Sequence, residues 1–111
     1  MKVKDIMEKL ELFMVAGASG VDKEVTTGYT GDLLSWVIAN AKPGAVWVTI
    51  QSHVNIIAIA SLLNLSCIIV SEGAHIDKDT VTRANEEGIT VFSTEMNSYT
   101  TIKKLIEIGI E

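Results

Sequence analysis

The sequence predicts an α/β fold with three layers, α/β/α, in which a mostly parallel sheet lies between two layers of helices. Two observations predict this class. Three apolar runs rich in β-branched residues begin near Val46, Cys67 and Ile89, and a polar turn and a helix-compatible segment follow each of them. Strands that alternate with helices are typical of βαβ units, whose strands lie parallel. At 111 residues the chain has the size of one domain, which we expect to span 1–111.

The first quarter of the chain predicts a helix and two short strands. Four apolar residues have the spacing of one helix face: Val3, Ile6, Met7 and Leu10. Leu12–Ala16 is an apolar run suited to a strand, and the small residues at 17–20 end it. A brief strand is predicted at Val25–Thr27.

A turn-rich segment, Gly28–Asp32, follows that strand and has the character of a functional loop. Its candidate functional residues are Tyr29, Thr30, Gly31 and Asp32. The alternative is that Asp32 is a plain N-cap for a helix from Leu33 to about Ala41. Pro43 and Gly44 end that helix.

The middle of the chain predicts a complete βαβ unit. A strand at Val46–Ile50 leads through the polar turn Gln51–His53 into a helix at Val54–Leu63. A second strand, Cys67–Val70, ends at the turn Ser71–Gly73. Because parallel strands gather their carboxyl ends at one edge of a sheet, the two polar turns are expected to meet at that edge, where ligands of open α/β sheets bind.

The last third predicts a helix, a strand and a final helix. The helix spans Lys78–Glu87, with Asp77 as its N-cap and Gly88 as its C-cap. A strand follows at Ile89–Phe92. The final helix, at about 99–107, is amphipathic through three residues: Ile102, Leu105 and Ile106.

Two of the predicted helices are more apolar than a crossover helix needs to be. Val54–Leu63 is apolar almost all round, and the segment from Leu33 to Ile38 is similarly broad. Neighbouring helices, a second copy of the chain or a companion domain would have to cover the additional faces. We favour a homodimer through these helices. Trp36 and Trp47 are interpreted as core or interface anchors, with stacking on a ligand as the alternative.

The strongest candidate site lies where the Val46 strand meets its helix. The candidate ligand-binding residues there are Thr49, Gln51, Ser52, His53 and Asn55. The first N–H groups of a helix lack intrahelical partners and favour anions such as phosphate or carboxylate. The alternative is that Ser52 is simply the N-cap and His53 a solvated residue of the first turn.

The turns after the next two strands would line the same crevice. Their candidate residues are Ser71, Glu72, Gly73, Ser93 and Thr94. Gly73 would let the backbone approach a ligand closely. An ordinary strand-to-helix loop is the alternative for both turns. His53 and Glu72 suggest an acid–base pair, but nothing in their spacing singles them out. We therefore expect no catalytic residue and no enzyme.

Composition excludes several classes of function. The net charge is −5, with only 9 Lys and Arg, which argues against nucleic acid and against an anionic membrane surface as partners. No apolar run reaches the ~18 residues of a membrane span, and the N-terminus does not have the pattern of a signal peptide. We expect a cytoplasmic protein.

The motifs of common cofactor and metal sites are absent. The sequence has no P-loop and no dinucleotide-binding glycine fingerprint, and no cofactor is expected. Cys67 is the single cysteine and is predicted to be buried and inert. The two histidines lack the spacing of metal ligands, so no metal site is expected. A small anionic or nucleotide-like ligand or a protein partner remains as the expected interaction.

Three segments resemble a stand-alone DRTGG domain. They are the segments 28–35, 46–56 and 68–73, and a strand at 88–94 extends the resemblance over nearly the whole chain. DRTGG domains are similar in fold to the N-terminal domain of HPr kinase/phosphorylase. The resemblance implies the three-layer fold and a regulatory or assembly role, with dimer contacts and without catalysis.

The sequence departs from the motif that gives this family its name. The family's Asp-Arg pair aligns with Ser52-His53, and its Thr-Gly-Gly aligns with Ser71-Glu72-Gly73. The arginine that would be the obvious phosphate ligand is therefore missing. Both motif positions nevertheless lie at the two strand ends identified above, so a regulatory ligand at the carboxyl ends of the strands is expected, with a pure interaction or dimerisation module as the alternative.

Overall fold

The computed structural model describes all residues from Met1 to Glu111 and confirms the predicted three-layer α/β fold. The strands are β1 (Phe13–Ala16), β2 (Thr27–Thr30), β3 (Ala45–Thr49), β4 (Cys67–Val70) and β5 (Val91–Ser93). The helices are α1 (Val3–Leu10), α2 (Leu34–Asn40), α3 (Asn55–Leu63), α4 (Lys78–Glu87) and α5 (Ser98–Glu107). A single 3₁₀ turn at Ala18–Gly20 follows β1.

The five strands form one sheet in the order β1-β5-β4-β3-β2. β2, β3, β4 and β5 lie parallel, and β1 pairs with β5 in the antiparallel sense, with an irregularity between Met14 and Ala16. β3 and β4 lie in the centre, and all of their residues are buried. A central parallel strand covered on both faces has this continuous apolar character, which explains why these two runs are so clear in the sequence.

Two apolar cores cover the two faces of the sheet. The core on one face includes Trp47 and Ile68 of the sheet and residues of α2, α3 and α4. The core on the other face includes Ile69 and Phe92 of the sheet and residues of α1 and α5. The three crossover helices therefore lie on one face, and only the loop after β5 leads to a helix on the opposite face.

The predicted and observed helix boundaries agree closely where a residue in the left-handed backbone conformation ends the helix. Gly88 closes α4 with a φ of 67°, as predicted, because glycine adopts this conformation without a steric cost. Asp77 occupies the N-cap position of α4, but its side chain makes no capping hydrogen bond. No helix is long and apolar enough to cross a membrane.

The edge strand β2 corrects the predicted loop. The segment from Gly28 to Thr30 was expected to be a turn, but it pairs with β3 from Thr27↔Ala45 to Thr30↔Val48. Its alternation of half-buried and exposed residues is the pattern of an edge strand, which is polar on its exposed side. Tyr29 and Thr30 therefore belong to the sheet, and only Gly31 and Asp32 lie in the following turn.

The broad apolar helices are only partly covered within the chain. In α3, Ile56, Ile57 and Ala60 are buried, whereas Leu62 is 70% exposed. In and just before α2, Leu33 and Trp36 are 65% and 63% exposed. Neighbouring helices thus bury the inner faces of α2 and α3 and leave large apolar side chains on their outer surfaces.

Candidate functional site

Asp32 and Thr49 form the centre of a hydrogen-bonded cluster at the carboxyl ends of β2 and β3. The Thr49 hydroxyl donates to Asp32 Oδ1 at 2.7 Å, and the Ile50 N–H donates to the same oxygen at 2.9 Å. The side-chain amide of Gln51 donates through Nε2 to the backbone carbonyl oxygen of Asp32 at 2.9 Å. Thr49 itself is buried. The carboxylate of Asp32 thus joins two strand ends, which is a structural role.

The interpretation of Asp32 as a helix N-cap is wrong. Helix α2 has Leu33 at its N-cap position, and no side chain caps it. The donors at the end of β3 compete for the Asp32 carboxylate, and they provide two hydrogen bonds where a cap would provide one. The adjacent Gly31 carbonyl oxygen accepts from the indole N–H of Trp47 at 2.9 Å, so this turn is held to the core by both of its residues.

The start of α3 does not offer the unpaired N–H groups that an anion would need. Its N-cap position is Val54, not Ser52, and no side-chain oxygen caps it. The Asn55 N–H donates to His53 Nδ1 at 3.2 Å, and the Ile56 N–H donates to the His53 carbonyl oxygen at 3.1 Å. The Ile57 N–H donates to the Val54 carbonyl oxygen at 3.0 Å. This helix end therefore has few free N–H groups that could bind a phosphate.

Ser52 is tied to a neighbouring helix through its backbone. Its carbonyl oxygen accepts from the hydroxyl of the buried Thr80 in α4 at 2.7 Å. His53 and Asn55 are both exposed. The turn after β3 is therefore fixed in place by α4, and its exposed polar side chains face solvent.

The turn after β4 forms a second closed network. The hydroxyls of Ser71 and Ser98 lie 2.6 Å apart, and the Ser98 N–H donates to Glu72 Oε2 at 3.3 Å. The Gly73 N–H donates to the Thr94 carbonyl oxygen at 2.9 Å. A methyl group at Gly73 would lie 2.3 Å from a carboxylate oxygen of Glu95. The space beside Gly73 is thus occupied by a side chain of the protein.

The two networks touch, but His53 and Glu72 do not pair. The Ser71 N–H donates to the Thr49 carbonyl oxygen at 3.0 Å, which joins the ends of β3 and β4. His53 and Glu72 are exposed, and each is engaged with a different residue. No group of three His, Cys, Asp or Glu side chains is arranged to hold a metal ion.

A cleft of about 630 Å³ opens at the carboxyl end of β5, and we call it the β5 cleft. It contains two of the predicted residues, Ser93 and Thr94. The remaining lining residues are Lys9, Leu10, Glu11, Phe13, Glu95, Met96 and Lys104. No cavity is lined by residues of the turns that follow β2, β3 and β4.

The order of the helices explains the position of this cleft. Crevices form where successive connections leave a sheet on opposite faces. The helices that follow β2, β3 and β4 lie on the same face, so their loops pack side by side. The connection after β5 leads to α5 on the other face, and the gap opens there. No local pattern indicates Lys9, Phe13 or Lys104 as site residues, because they belong to other elements than β5, and Lys9 and Phe13 are distant from it along the chain.

A smaller, mostly apolar groove of about 160 Å³ lies between β2 and α5. Tyr29 and Thr30 contribute to it, and the other lining residues are Gly28, Val48, Ile102, Leu105, Ile106, Ile110 and Glu111. Leu105 is buried and Ile106 is exposed. Tyr29 and Thr30 therefore contribute to an apolar surface and take no part in the side-chain hydrogen bonds around Asp32.

Cys67 is buried in the centre of the sheet, and desolvation raises the pKa of its thiol from about 9 to about 12. We expect the free energy of unfolding to fall by about 1 kcal/mol between pH 8 and pH 10, since the thiol of the unfolded chain ionises in this range while the folded chain keeps its proton. Urea denaturation at the two pH values measures this loss. Cys67→Ala removes the thiol, and an equal loss in that variant would contradict the assignment.

A sequence model of the DRTGG domain matches residues 5–108, and the chain therefore belongs to the DRTGG domain family. A similar solved structure contains the CBS and DRTGG domains of the regulatory region of Clostridium perfringens pyrophosphatase, complexed with the activator diadenosine tetraphosphate. The TM-score is 0.68 at 18% identity, over 94% of this chain and 45% of that chain. This likeness shows the fold, and this chain spans less than half of that chain's length. No curated protein matches the sequence.

Proposed function

We propose that this DRTGG domain is a non-catalytic regulatory domain that senses a small anionic or nucleotide-like ligand at the carboxyl edge of its sheet. The observation that carries the proposal is how the polar groups at this edge are used. Asp32, Thr49, Ser71 and Glu72 form hydrogen bonds with one another's segments or with Ser98, and the Thr49 hydroxyl that donates to the Asp32 carboxylate is buried rather than open to a substrate. The β5 cleft, in contrast, has a polar lining open to solvent.

The relative from the pyrophosphatase supports the ligand class. That regulatory region was crystallised with a nucleotide activator. Since this chain has the fold of one part of that region, a nucleotide-like ligand is the first class to test. The missing Asp-Arg pair at Ser52-His53 removes one route to phosphate binding, so the position of the site is proposed from this chain's own side chains.

Thermal unfolding of the purified chain against nucleotides, phosphate, sulfate and small carboxylates tests the proposal. A ligand present at 100 times its dissociation constant stabilises a fold by about 2.7 kcal/mol, which is a clear shift of the melting temperature for this size. We expect a nucleotide to give such a shift and to be recovered chemically unchanged. A panel without any shift, or turnover of the ligand, would overturn the proposal.

A homodimer through the outer surfaces of α2 and α3 is a second part of the proposal. Trp36 and Leu62 are largely exposed on these two adjacent helices, and exposed apolar patches mark interfaces. We expect a dimer at micromolar concentration in sedimentation velocity. Trp36→Lys and Leu62→Lys are expected to shift the chain to monomer, because each places a charge in the interface.

The exposed neighbours of these residues provide matched controls. Ser35→Lys and Ser61→Lys add the same charge to the same helices at exposed positions. We expect the controls to remain dimeric. A monomer in the unsubstituted chain, or equal dissociation by all four substitutions, would argue against this interface.

One observation favours a second function, that of an interaction module without a small-molecule ligand. The networks at Asp32 and Ser71 leave few free groups at the ends of β2, β3 and β4. If the ligand panel is without effect and the dimer nevertheless forms, the apolar helices carry the function. Ligand stabilisation without any self-association would exclude this second function.

A further inference from the structure

We propose that the β5 cleft binds a nucleotide, with its phosphate between Lys9 and Lys104 and its base on the ring of Phe13. This inference rests on the proposed ligand-sensing function and gives that ligand a chemical class and a place. The cleft volume of about 630 Å³ lies within the range typical of small-molecule sites, about 300–1,000 Å³.

Two ammonium groups of the cleft have no carboxylate partner. Lys9 and Lys104 come from the C-terminal parts of α1 and α5, and both line the cleft. The ion pairs of the chain involve the N-terminal amine, Lys4 and Arg83, so neither lysine is among them. An unpaired ammonium group is a strong donor to a phosphate oxygen.

The end of β5 adds two hydroxyl groups to the cleft, one from each face of the sheet, because consecutive residues of a strand point to opposite faces. The Thr94 hydroxyl accepts from the Met96 N–H at 3.2 Å, which leaves its own proton free to donate. Ser93 is half-buried, and its hydroxyl takes no part in the hydrogen bonds of the neighbouring Thr94 and Ser98. Hydroxyl donors near lysines suit a phosphate better than an apolar ligand, because phosphate oxygens accept hydrogen bonds from both.

Phe13 provides an aromatic surface at the mouth of the cleft. It is 71% exposed, so most of its ring faces solvent at the start of the edge strand β1. It lies directly opposite Ser93 in the antiparallel pair, so these two side chains leave the sheet on the face opposite to Phe92, which packs with residues of α1 and α5. A ligand that contacts both Phe13 and the two lysines therefore crosses the carboxyl end of β5. Stacking on an exposed aromatic ring tolerates any base, since every base has a π face.

The carboxylates of the cleft distinguish a nucleotide from a bare anion. Glu11 and Glu95 line the cleft together with the two lysines, so the formal charges balance. Inorganic phosphate would gain little from such a site, because the carboxylates repel it. A ligand with an amino-bearing ring in addition to its phosphate has donors for the carboxylates and a face for Phe13.

The test measures the dissociation constant of AMP by calorimetry for the full chain and its variants. Lys9→Ala/Lys104→Ala is expected to weaken AMP binding at least about tenfold, since each lost charge-assisted hydrogen bond contributes on this scale. Phe13→Ala is expected to weaken AMP but not inorganic phosphate. Lys103→Ala/Lys78→Ala removes two exposed lysines outside the cleft and is expected to change binding less than about twofold.

The outcomes separate the location from the function. Equal AMP affinity in the unsubstituted chain and in Lys9→Ala/Lys104→Ala would overturn the β5 cleft as the binding site, while the proposed sensing function would remain. Inorganic phosphate binding as tightly as AMP would overturn the nucleotide class. Failure of every nucleotide to bind would overturn both proposals. All of the substituted side chains are exposed, and the melting temperature of each variant verifies that it is folded.

Discussion

Replacing Trp47 with alanine is expected to lower the free energy of unfolding by about 3–5 kcal/mol. Trp47 is fully buried on the central strand β3, and its ring packs in the core beneath α2, α3 and α4. Its indole N–H also holds the Gly31 carbonyl oxygen. The substitution therefore creates a large cavity and leaves an acceptor without its donor. Urea denaturation followed by circular dichroism measures the loss.

Trp47→Phe separates the two contributions. Phenylalanine keeps an aromatic ring in the core but cannot donate to Gly31, so a smaller loss of about 1–3 kcal/mol is expected from the unpaired carbonyl and the reduced ring. A loss below 1 kcal/mol for Trp47→Ala would contradict the assignment of this residue to the core and would favour a ligand-stacking role instead.

Asp32→Ala is expected to lower the free energy of unfolding by about 1–3 kcal/mol. The substitution removes the acceptor of both the Thr49 hydroxyl and the Ile50 N–H, and the Thr49 side chain is buried, so its hydroxyl would lose a partner without regaining full hydration. Asp32→Asn keeps one acceptor oxygen in the same place and is expected to lose less. Thermal and urea denaturation of the three proteins measure the difference.

Asp77→Ala is the matched control for Asp32. Asp77 is an exposed aspartate before a helix, and its side chain makes no capping hydrogen bond. The substitution is expected to lower the free energy of unfolding by less than about 1 kcal/mol, which is the contribution typical of a negative charge near a helix N-terminus. If Asp77→Ala destabilised the chain as much as Asp32→Ala, the two-strand role of Asp32 would be contradicted.

The central βαβ unit and the C-terminal half were predictable because their signals are local. The apolar runs at Val46 and Cys67 are strands buried on both faces, and a short continuous apolar run rich in β-branched residues is typical of such strands. Gly88 marks the end of α4 because its backbone conformation favours glycine. The predicted Lys78–Glu87 helix has the observed boundaries for this reason.

The edge strand β2 was not predictable in the same way. Gly28 and Thr30 resemble turn residues, and only their pairing with β3 makes them a strand. The function of Asp32 depends on the same pairing, since its hydrogen-bond partners lie at the end of β3. A residue whose partners are distant in sequence keeps several local interpretations open, and the N-cap was the simplest of them.

The candidate site could be predicted only in part. Parallel strands do gather the polar turns at one edge, and the structure brings Thr49 and Ser71 together there. Whether a crevice opens depends on which face of the sheet each helix covers, and no single segment of the sequence determines that face. The β5 cleft combines Lys9, Phe13 and Lys104 with Ser93 and Thr94, so only the residues after β5 were accessible to sequence reasoning.

Two-dimensional NMR of the ¹⁵N-labelled chain during titration with AMP is the first experiment to make, because it detects both the binding of a nucleotide and the place where it binds. If the domain senses a nucleotide-like ligand at the carboxyl edge of its sheet, we expect saturable shifts of the amide signals of Lys9–Phe13 and Ser93–Met96, with smaller changes at Asp32 and Thr49. A spectrum that stays unchanged at millimolar AMP, ATP and phosphate would show that the domain is not such a sensor.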